Sequence, residues 1–154
     1  MRIRLITVGK LKEKYLRQAC QEYLKRLQSY AKVDVVELTE ASPALSTEQQ
    51  VTDEEKRMLA AISPDSHVIA LAISGEMMSS PQLAEYLQQQ TTYGQSHFTC
   101  LVGGSYGLSS QVLKHANLQL SFSRLTFPHQ LFRVMLLEQL YRSCKINRGE
   151  QYHK

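Results

Sequence analysis

The chain lacks any apolar run long enough to span a bilayer. Its start, Met1-Arg2-Ile3-Arg4-Leu5, alternates instead of forming the apolar core of a secretion signal. No membrane partner is expected, and the expected setting is cytoplasmic. Cysteine is scarce: Cys20, Cys100 and Cys144 are odd in number, share no metal-ligand spacing and sit among apolar neighbours. A disulfide framework and a zinc site are both disfavoured, and the three read as reduced, buried residues. Net charge is also low, since 18 basic against 14 acidic residues leave only +4, which requires nothing beyond solubility.

The 154 residues suit one ordinary domain, 1–154, able to bury a proper core. The modest charge is unevenly spread. Lys10, Lys12, Lys14, Arg17, Lys25, Arg26 and Lys32 face only Glu13 and Glu22 over the same stretch, and the middle third is close to neutral.

Hydrophobic period divides the chain into alternating elements. Ile3, Leu5 and Val8 bring a branched, alternating segment to Gly9, as a strand ending in a turn would. Leu11, Tyr15, Ala19, Tyr23 and Leu27 then recur every fourth residue with Leu16, Cys20 and Leu24 beside them, predicting an amphipathic helix with a basic outer face. Val33 to Leu38 reads as a second strand and Thr39 to Thr52 as a polar, mobile loop; a helix is expected over Asp53 to Ile62. His67 to Ile73 is an unbroken apolar strand running into Ser74-Gly75, and Ser80-Pro81 reads as the start of the next helix, with Ser80 as its cap. Phe98 to Val102, a glycine-rich loop, a short helix over Ser109 to His115 and a strand over Leu118 to Phe122 repeat the unit. Strands apolar on both faces and alternating with helices predict an α/β fold, a mainly parallel sheet covered by helices on both sides.

Beyond Pro128 a last helix reaches about Ile146, carrying Leu131, Phe132, Val134, Met135, Leu136, Leu137, Leu140 and Tyr141. That apolar surface is too wide for one face. In so short a chain the second cover is expected to be another copy of itself, a homodimer.

The run Val102-Gly103-Gly104-Ser105-Tyr106-Gly107-Leu108 follows a buried strand, where a ligand can lie against bare backbone. It lacks the lysine of a nucleotide-hydrolysing loop and the spacing of a dinucleotide fingerprint. Taken alone, its glycines need do no more than make a tight turn. Ser74-Gly75 and the segment from Phe122 to His129 would lie at the same carboxyl edge of a parallel sheet, so three loops can converge on one crevice. His129, Arg133, Glu138, Arg142, Tyr152 and His153 are the polar residues that stand out near the C-terminus. Glu138 and Arg142 are four apart, so an ordinary intrahelical ion pair explains them equally well. The ending Arg148 to Lys154 is by default disordered, although its aromatic and imidazole groups suit stacking on a base.

In order and spacing these motifs are specific: Val8-Gly9-Lys10-Leu11-Lys12, the glycine loop, Leu120-Ser121-Phe122-Ser123 through Thr126-Phe127-Pro128-His129, and Glu150-Gln151-Tyr152-His153. Over essentially its whole length the chain resembles the RlmH (YbeA-like) family of SPOUT-class ribosomal RNA methyltransferases. Some members carry proline and glutamate where Ser105 and Tyr106 stand here, and a tryptophan or similar group in the early helix where this chain has Leu16; the glycines are untouched. The resemblance implies a C-terminal trefoil knot, an exception to the rule that chains are unknotted. It implies S-adenosylmethionine as methyl donor, held by Leu71, Gly103, Phe122, Ser123, Arg124, Leu125, Thr126 and Phe127, with no metal. The implied substrate is N3 of a pseudouridine in large-subunit (23S) ribosomal RNA within the assembled ribosome.

On that basis Arg142, held by Glu138, is expected to position and polarise the base. Tyr152 and His153 of the partner chain would complete the pocket as a mobile tail closing over it, and His129 and His153 are the candidate bases. Lys10, Lys12, Lys14 and Arg17 would neutralise RNA phosphates. Three rivals remain at this point: a non-catalytic ribosome- or RNA-binding factor, a phosphate-binding α/β enzyme and a structural dimerisation domain.

Overall fold

A computed structural model describes residues 1–154. Five strands form one parallel sheet in the order β2-β1-β4-β3-β5: β1 (Arg2–Val8), β2 (Lys32–Leu38), β3 (His67–Met77), β4 (His97–Val102) and β5 (Leu118–Ser121). Helices connect them: α1 (Lys14–Leu27), α2 (Thr47–Ala61), α3 (Ser80–Thr92), α4 (Ser110–His115) and, last, α5 (His129–Asn147).

The strands' two-residue period sorts the core into two layers. Ile3, Leu5, Ile69, Leu71, Phe98, Cys100, Val102, Leu118 and Leu120 point to one face, where α1, α3 and α5 cover them with Cys20, Leu27, Leu83, Leu87, Leu136, Leu137 and Leu140. Ile6, Val8, Val68 and Leu101 point to the other, against Met58 of α2 and Val112 of α4. All three cysteines are free and buried, and burial raises each thiol's pKa, that of Cys100 to about 12. No helix is long and apolar enough to cross a membrane.

Three local expectations are corrected. The supposed loop to Thr52 ends at Ser46, whose hydroxyl accepts from the Gln49 amide while the Gln49 side chain accepts from the Ser46 amide. This reciprocal cap starts α2 at Thr47, six residues before Asp53. Helix α3 is likewise capped by Ser79 with Gln82, not by Ser80. In α1 the buried residues are Leu16, Cys20 and Leu27, whereas Tyr15 is 66% exposed. A strict four-residue repeat drifts by about 40° per step around a helix, so the buried line follows spacings of four, three and four through Tyr23.

Strand β3 is longer than expected because it pairs with β5 twice. Leu71 and Glu76 are both opposite Leu120, leaving residues 72–75 as an excursion between the two registers. Gly75 closes that excursion: a Cβ there would lie 2.7 Å from the Gln119 carbonyl and 2.8 Å from the Leu120 carbonyl carbon. Only bare backbone fits.

Helix α5 buries Arg133, Leu136, Leu137, Leu140, Ser143 and Cys144 but not its whole apolar girth. Leu131 is exposed, as are Ile73, Met77 and Leu125 on neighbouring segments. Val134 and Met135 line a recess of about 440 Å3 with Tyr23, Met78, Leu83 and Phe122.

Replacing Gly75 with alanine is expected to destabilise the protein by about 1–3 kcal/mol, because neither backbone can yield without breaking the β3–β5 ladder. Urea unfolding measures this against Gln88→Ala on the exposed side of α3, expected within about 0.5 kcal/mol of the parent. Equal stability of the two variants would contradict the close approach.

Candidate active site

The carboxyl ends of β4, β3 and β5, three adjacent parallel strands, open into a crevice of about 840 Å3. Its walls are Leu71 and residues 72–74 of the β3 excursion, residues 102–108 at the end of β4 and beyond, and most of 120–129 from the end of β5 onward, with Leu113 and Phe132. Placement at the carboxyl edge follows from parallel topology, which sends each strand's exit loop to the same side.

The glycine loop folds tightly on itself. A Cβ on Gly103 would meet the Gly107 carbonyl carbon at 2.5 Å, and the Gly107 amide donates to the Gly104 carbonyl at 3.0 Å with φ of 76° at Gly107. The glycines therefore make the tight turn, and the residues of that turn line the crevice. The third wall is fastened by its own side chains, with the Ser121 hydroxyl donating to the Ser123 carbonyl at 3.0 Å and the Leu125 amide to the Ser123 hydroxyl at 3.0 Å. Phe122 and Phe127 pack on Phe132 of α5 at centroid distances of 4.9 and 6.4 Å.

Of the eight residues assigned to a methyl donor, Leu71, Gly103, Phe122, Ser123, Leu125, Thr126 and Phe127 line this crevice, and Arg124 does not. Arg124 sits exposed at the bend between Ser123 and Leu125. His129 lines it, from the first turn of α5. Leu113, Ile73 and Phe132 were missed; their alternation and helical spacing mark them only as apolar, and nothing in the sequence says they face a cavity.

Arg142, Glu138, Tyr152 and His153 gather elsewhere. Arg142 donates to Glu138 Oε1 from Nη2 at 2.5 Å and from Nε at 3.0 Å; the Tyr152 hydroxyl donates to the same oxygen at 3.0 Å, and Gln139 donates to Oε2 at 2.7 Å. Both carboxylate oxygens of Glu138 are thus engaged, Oε1 by Arg142 and Tyr152 and Oε2 by Gln139. Arg142 also stacks over the Tyr152 ring at 4.7 Å, and its Nη1 lies 3.2 Å from His153 Nδ1. The default expectation of a disordered ending is thus corrected, since these contacts hold it on α5. Burial first, and then the Glu138 hydrogen bond, push the Tyr152 phenol up to about 12, which makes it a donor and not a base at neutral pH. The Glu138 hydrogen bond holds Arg142 firmly in its charged form.

The apolar recess separates this cluster from the crevice. Glu138 borders the apolar recess beside α5, and that recess shares Leu120 and Phe122 with the crevice. Within one chain neither Arg142, Tyr152 nor His153 lines the crevice.

Arg133 has a different role. Its guanidinium, 3% exposed, donates to Glu37 Oε2 at 2.6 Å and to the Gly9 carbonyl at 3.0 Å, tying α5 to the ends of β1 and β2. The Lys12 amide donates to the Gln130 side chain at 3.2 Å, so the exposed basic segment that holds Lys10, Lys12, Lys14 and Arg17 is tied at Lys12 to the first turn of α5.

A family model described as a predicted SPOUT methyltransferase matches residues 1–153. Two relatives named ribosomal RNA large subunit methyltransferase H, from Bacillus pumilus and Bacillus cytotoxicus, are 54% and 55% identical across the whole of both chains. Among solved structures, a probable methylase family protein from Haemophilus influenzae superposes with a TM-score of 0.55 at 12% identity, covering 99% of this chain and 70% of that one. A tRNA (m1G37) methyltransferase from Aquifex aeolicus gives a TM-score of 0.55 at 11% identity, covering 92% and 70%. At such identities these two structures speak to the fold alone.

In the protein with labelled tyrosine rings, the Tyr152 resonance should stay unchanged through the ordinary tyrosine range and move only near pH 12. Glu138→Gln removes one of the causes and should lower that midpoint. A Tyr152 midpoint at the ordinary value in the unaltered protein would show that the ring does not pack as described.

Proposed function

The chain belongs to the SPOUT methyltransferase family, and from that premise we propose that it transfers a methyl group from S-adenosylmethionine to N3 of a pseudouridine in large-subunit ribosomal RNA on the assembled ribosome. It would do so as a single domain, 1–154, whose three crevice loops belong to a trefoil knot, and as a homodimer. The observation that carries the reading is the crevice itself, walled by the exit loops of β4 and β5 and by the excursion within β3 between them, with Gly103, Gly104 and Gly107 in its lining.

The residues present suit the donor. A cavity of about 840 Å3 is within the range of small-molecule sites. Leu71, Leu120, Phe127 and Phe132 offer apolar walls for a flat base, while Ser121, Ser123, Thr126 and the loop backbone offer polar partners for an amino acid group. The bound donor supplies an electrophilic methyl carbon on a sulfonium. In the transfer the N3–C bond forms as the C–S bond breaks, and the N3 proton leaves to a base.

The protein's task is then alignment, charge stabilisation and one proton transfer. Arg142, oriented by Glu138, presents a permanent positive charge that stabilises the imide as it loses its proton. Tyr152 donates a hydrogen bond and helps hold Arg142 in place. His153 and His129 are the candidate bases. Lys10, Lys12, Lys14 and Arg17 contact phosphates, giving salt-dependent affinity without sequence choice.

Because the Arg142 cluster lies outside its own chain's crevice, the working site combines the crevice of one subunit with the cluster of the other. The uncovered apolar residues Ile73, Met77, Leu125 and Leu131 support a symmetric partner beside α5.

Labelled methyl should pass from S-adenosylmethionine to ribosomes lacking the modification, appearing on a large-subunit pseudouridine by nucleoside mass spectrometry. Arg142→Ala should reduce the rate by at least about a hundredfold. Donor binding without transfer would retain the crevice and reject the substrate. Mixing Arg142→Ala with Ser123→Trp, which fills the crevice, should restore about a quarter of the activity if subunits pair symmetrically and share sites; no recovery would place the whole site within one chain.

A further inference from the structure

The end of α5 is locked more firmly than a chain terminus requires. Gly149, with φ of 65°, reverses the chain, and its amide donates to the Ile146 carbonyl at 2.9 Å. The Glu150 amide then donates to the Lys145 carbonyl at 3.0 Å. The Glu150 carboxylate is gripped from two directions, by the Tyr30 hydroxyl at 2.6 Å and by the Lys145 ammonium. Arg148 adds a third tie, stacking over the Tyr30 ring at 4.4 Å and donating to the Ser29 carbonyl at 3.2 Å.

These contacts continue into the polar cluster. Tyr30 packs edge-on against Tyr141 at 5.8 Å, and Tyr141 packs edge-on against Tyr152 at 4.9 Å. Glu150 is two residues before Tyr152 and three before His153, so its grip sets the register in which those side chains reach Glu138 and Arg142. The Lys145 side chain is only 16% exposed, so this is no freely solvated surface pair.

We propose that Tyr30, Lys145 and Glu150 are positioning residues for the methyl transfer: together they hold the C-terminal tail in its working register before RNA arrives. The inference rests on the reaction proposed above and deepens it. A free tail would have to be ordered at every encounter, whereas an anchored one presents Tyr152 and His153 already oriented. It also ties the tail to the end of α1, the helix whose beginning carries the basic surface, so both RNA-facing features stand in a fixed relation. The tail is a fixed part of the pocket and not a lid.

The test compares Tyr30→Phe, Glu150→Gln, Lys145→Met and Lys145→Arg in the full-length protein, each checked for unaltered donor affinity and melting. In the free enzyme, backbone relaxation at residues 150–153 should match that of α5 and should loosen in the first three variants. With ribosomes, kcat should fall between about tenfold and about a hundredfold in those three at unchanged donor affinity. Lys145→Arg, which keeps the charge, should retain more of the rate than Lys145→Met. A tail already mobile in the unaltered free enzyme overturns the proposal, as does a loosened tail with full kcat. Arg142→Ala runs in parallel: if it too transfers methyl normally, the proposed reaction itself fails, whereas its loss beside intact anchor variants rejects the anchor alone.

Discussion

At Gly75 the backbone of β3 comes within van der Waals contact of β5 with no room for a side chain, and much of the site follows from that approach. Strand β3 meets β5, departs for residues 72–75, and returns to pair again at the same Leu120. A larger residue at Gly75 would push the second pairing away and open the excursion. The excursion supplies one wall of the crevice, and the exit of β5 supplies another. The distance between two walls is therefore set by a backbone contact, the stiffest element available to the fold.

Helix α5 connects this edge to everything else. Its first turn closes the crevice with His129 and Phe132, its middle fills the core through Leu136, Leu137 and Leu140, and its later turns carry Glu138 and Arg142. Arg133 fixes the helix to Glu37 and Gly9 from a nearly dry position. A buried ion pair adds little net stability over apolar packing, but it demands one geometry. Here that geometry sets the basic segment after Gly9 beside the first turns of α5, with the Lys12–Gln130 bond as a second tie.

The polar cluster illustrates how four ordinary side chains acquire distinct properties. An i,i+4 Glu–Arg pair on an exposed helix would be worth little. Against Tyr152 and beside the recess it is partly buried, both Glu138 oxygens are engaged, and the phenol is held protonated. Under the proposed reaction the Nη1 edge of Arg142, beside His153, is the one turned to the base, with the proton acceptor sought among the histidines.

Much of this was legible in the sequence. The strands, the α/β class and the convergence of three loops follow from local period and from the rule that parallel strands exit on one side; both act over a few residues and leave their mark in residue order. The start of α2 was legible in principle through Ser46 and Gln49, but its weak apolar pattern hid it, and a strict repeat misplaced Tyr15. What only the tertiary structure decided depends on contacts between distant residues. Gly75 against Gln119, Arg133 against Gly9, Tyr30 against Glu150, and the division between crevice and polar cluster arise from packing, in which any sequence separation is possible and no local signal records the partner. Sequence determined which elements form and which residue types they carry; three-dimensional packing determined which of those residues stand together.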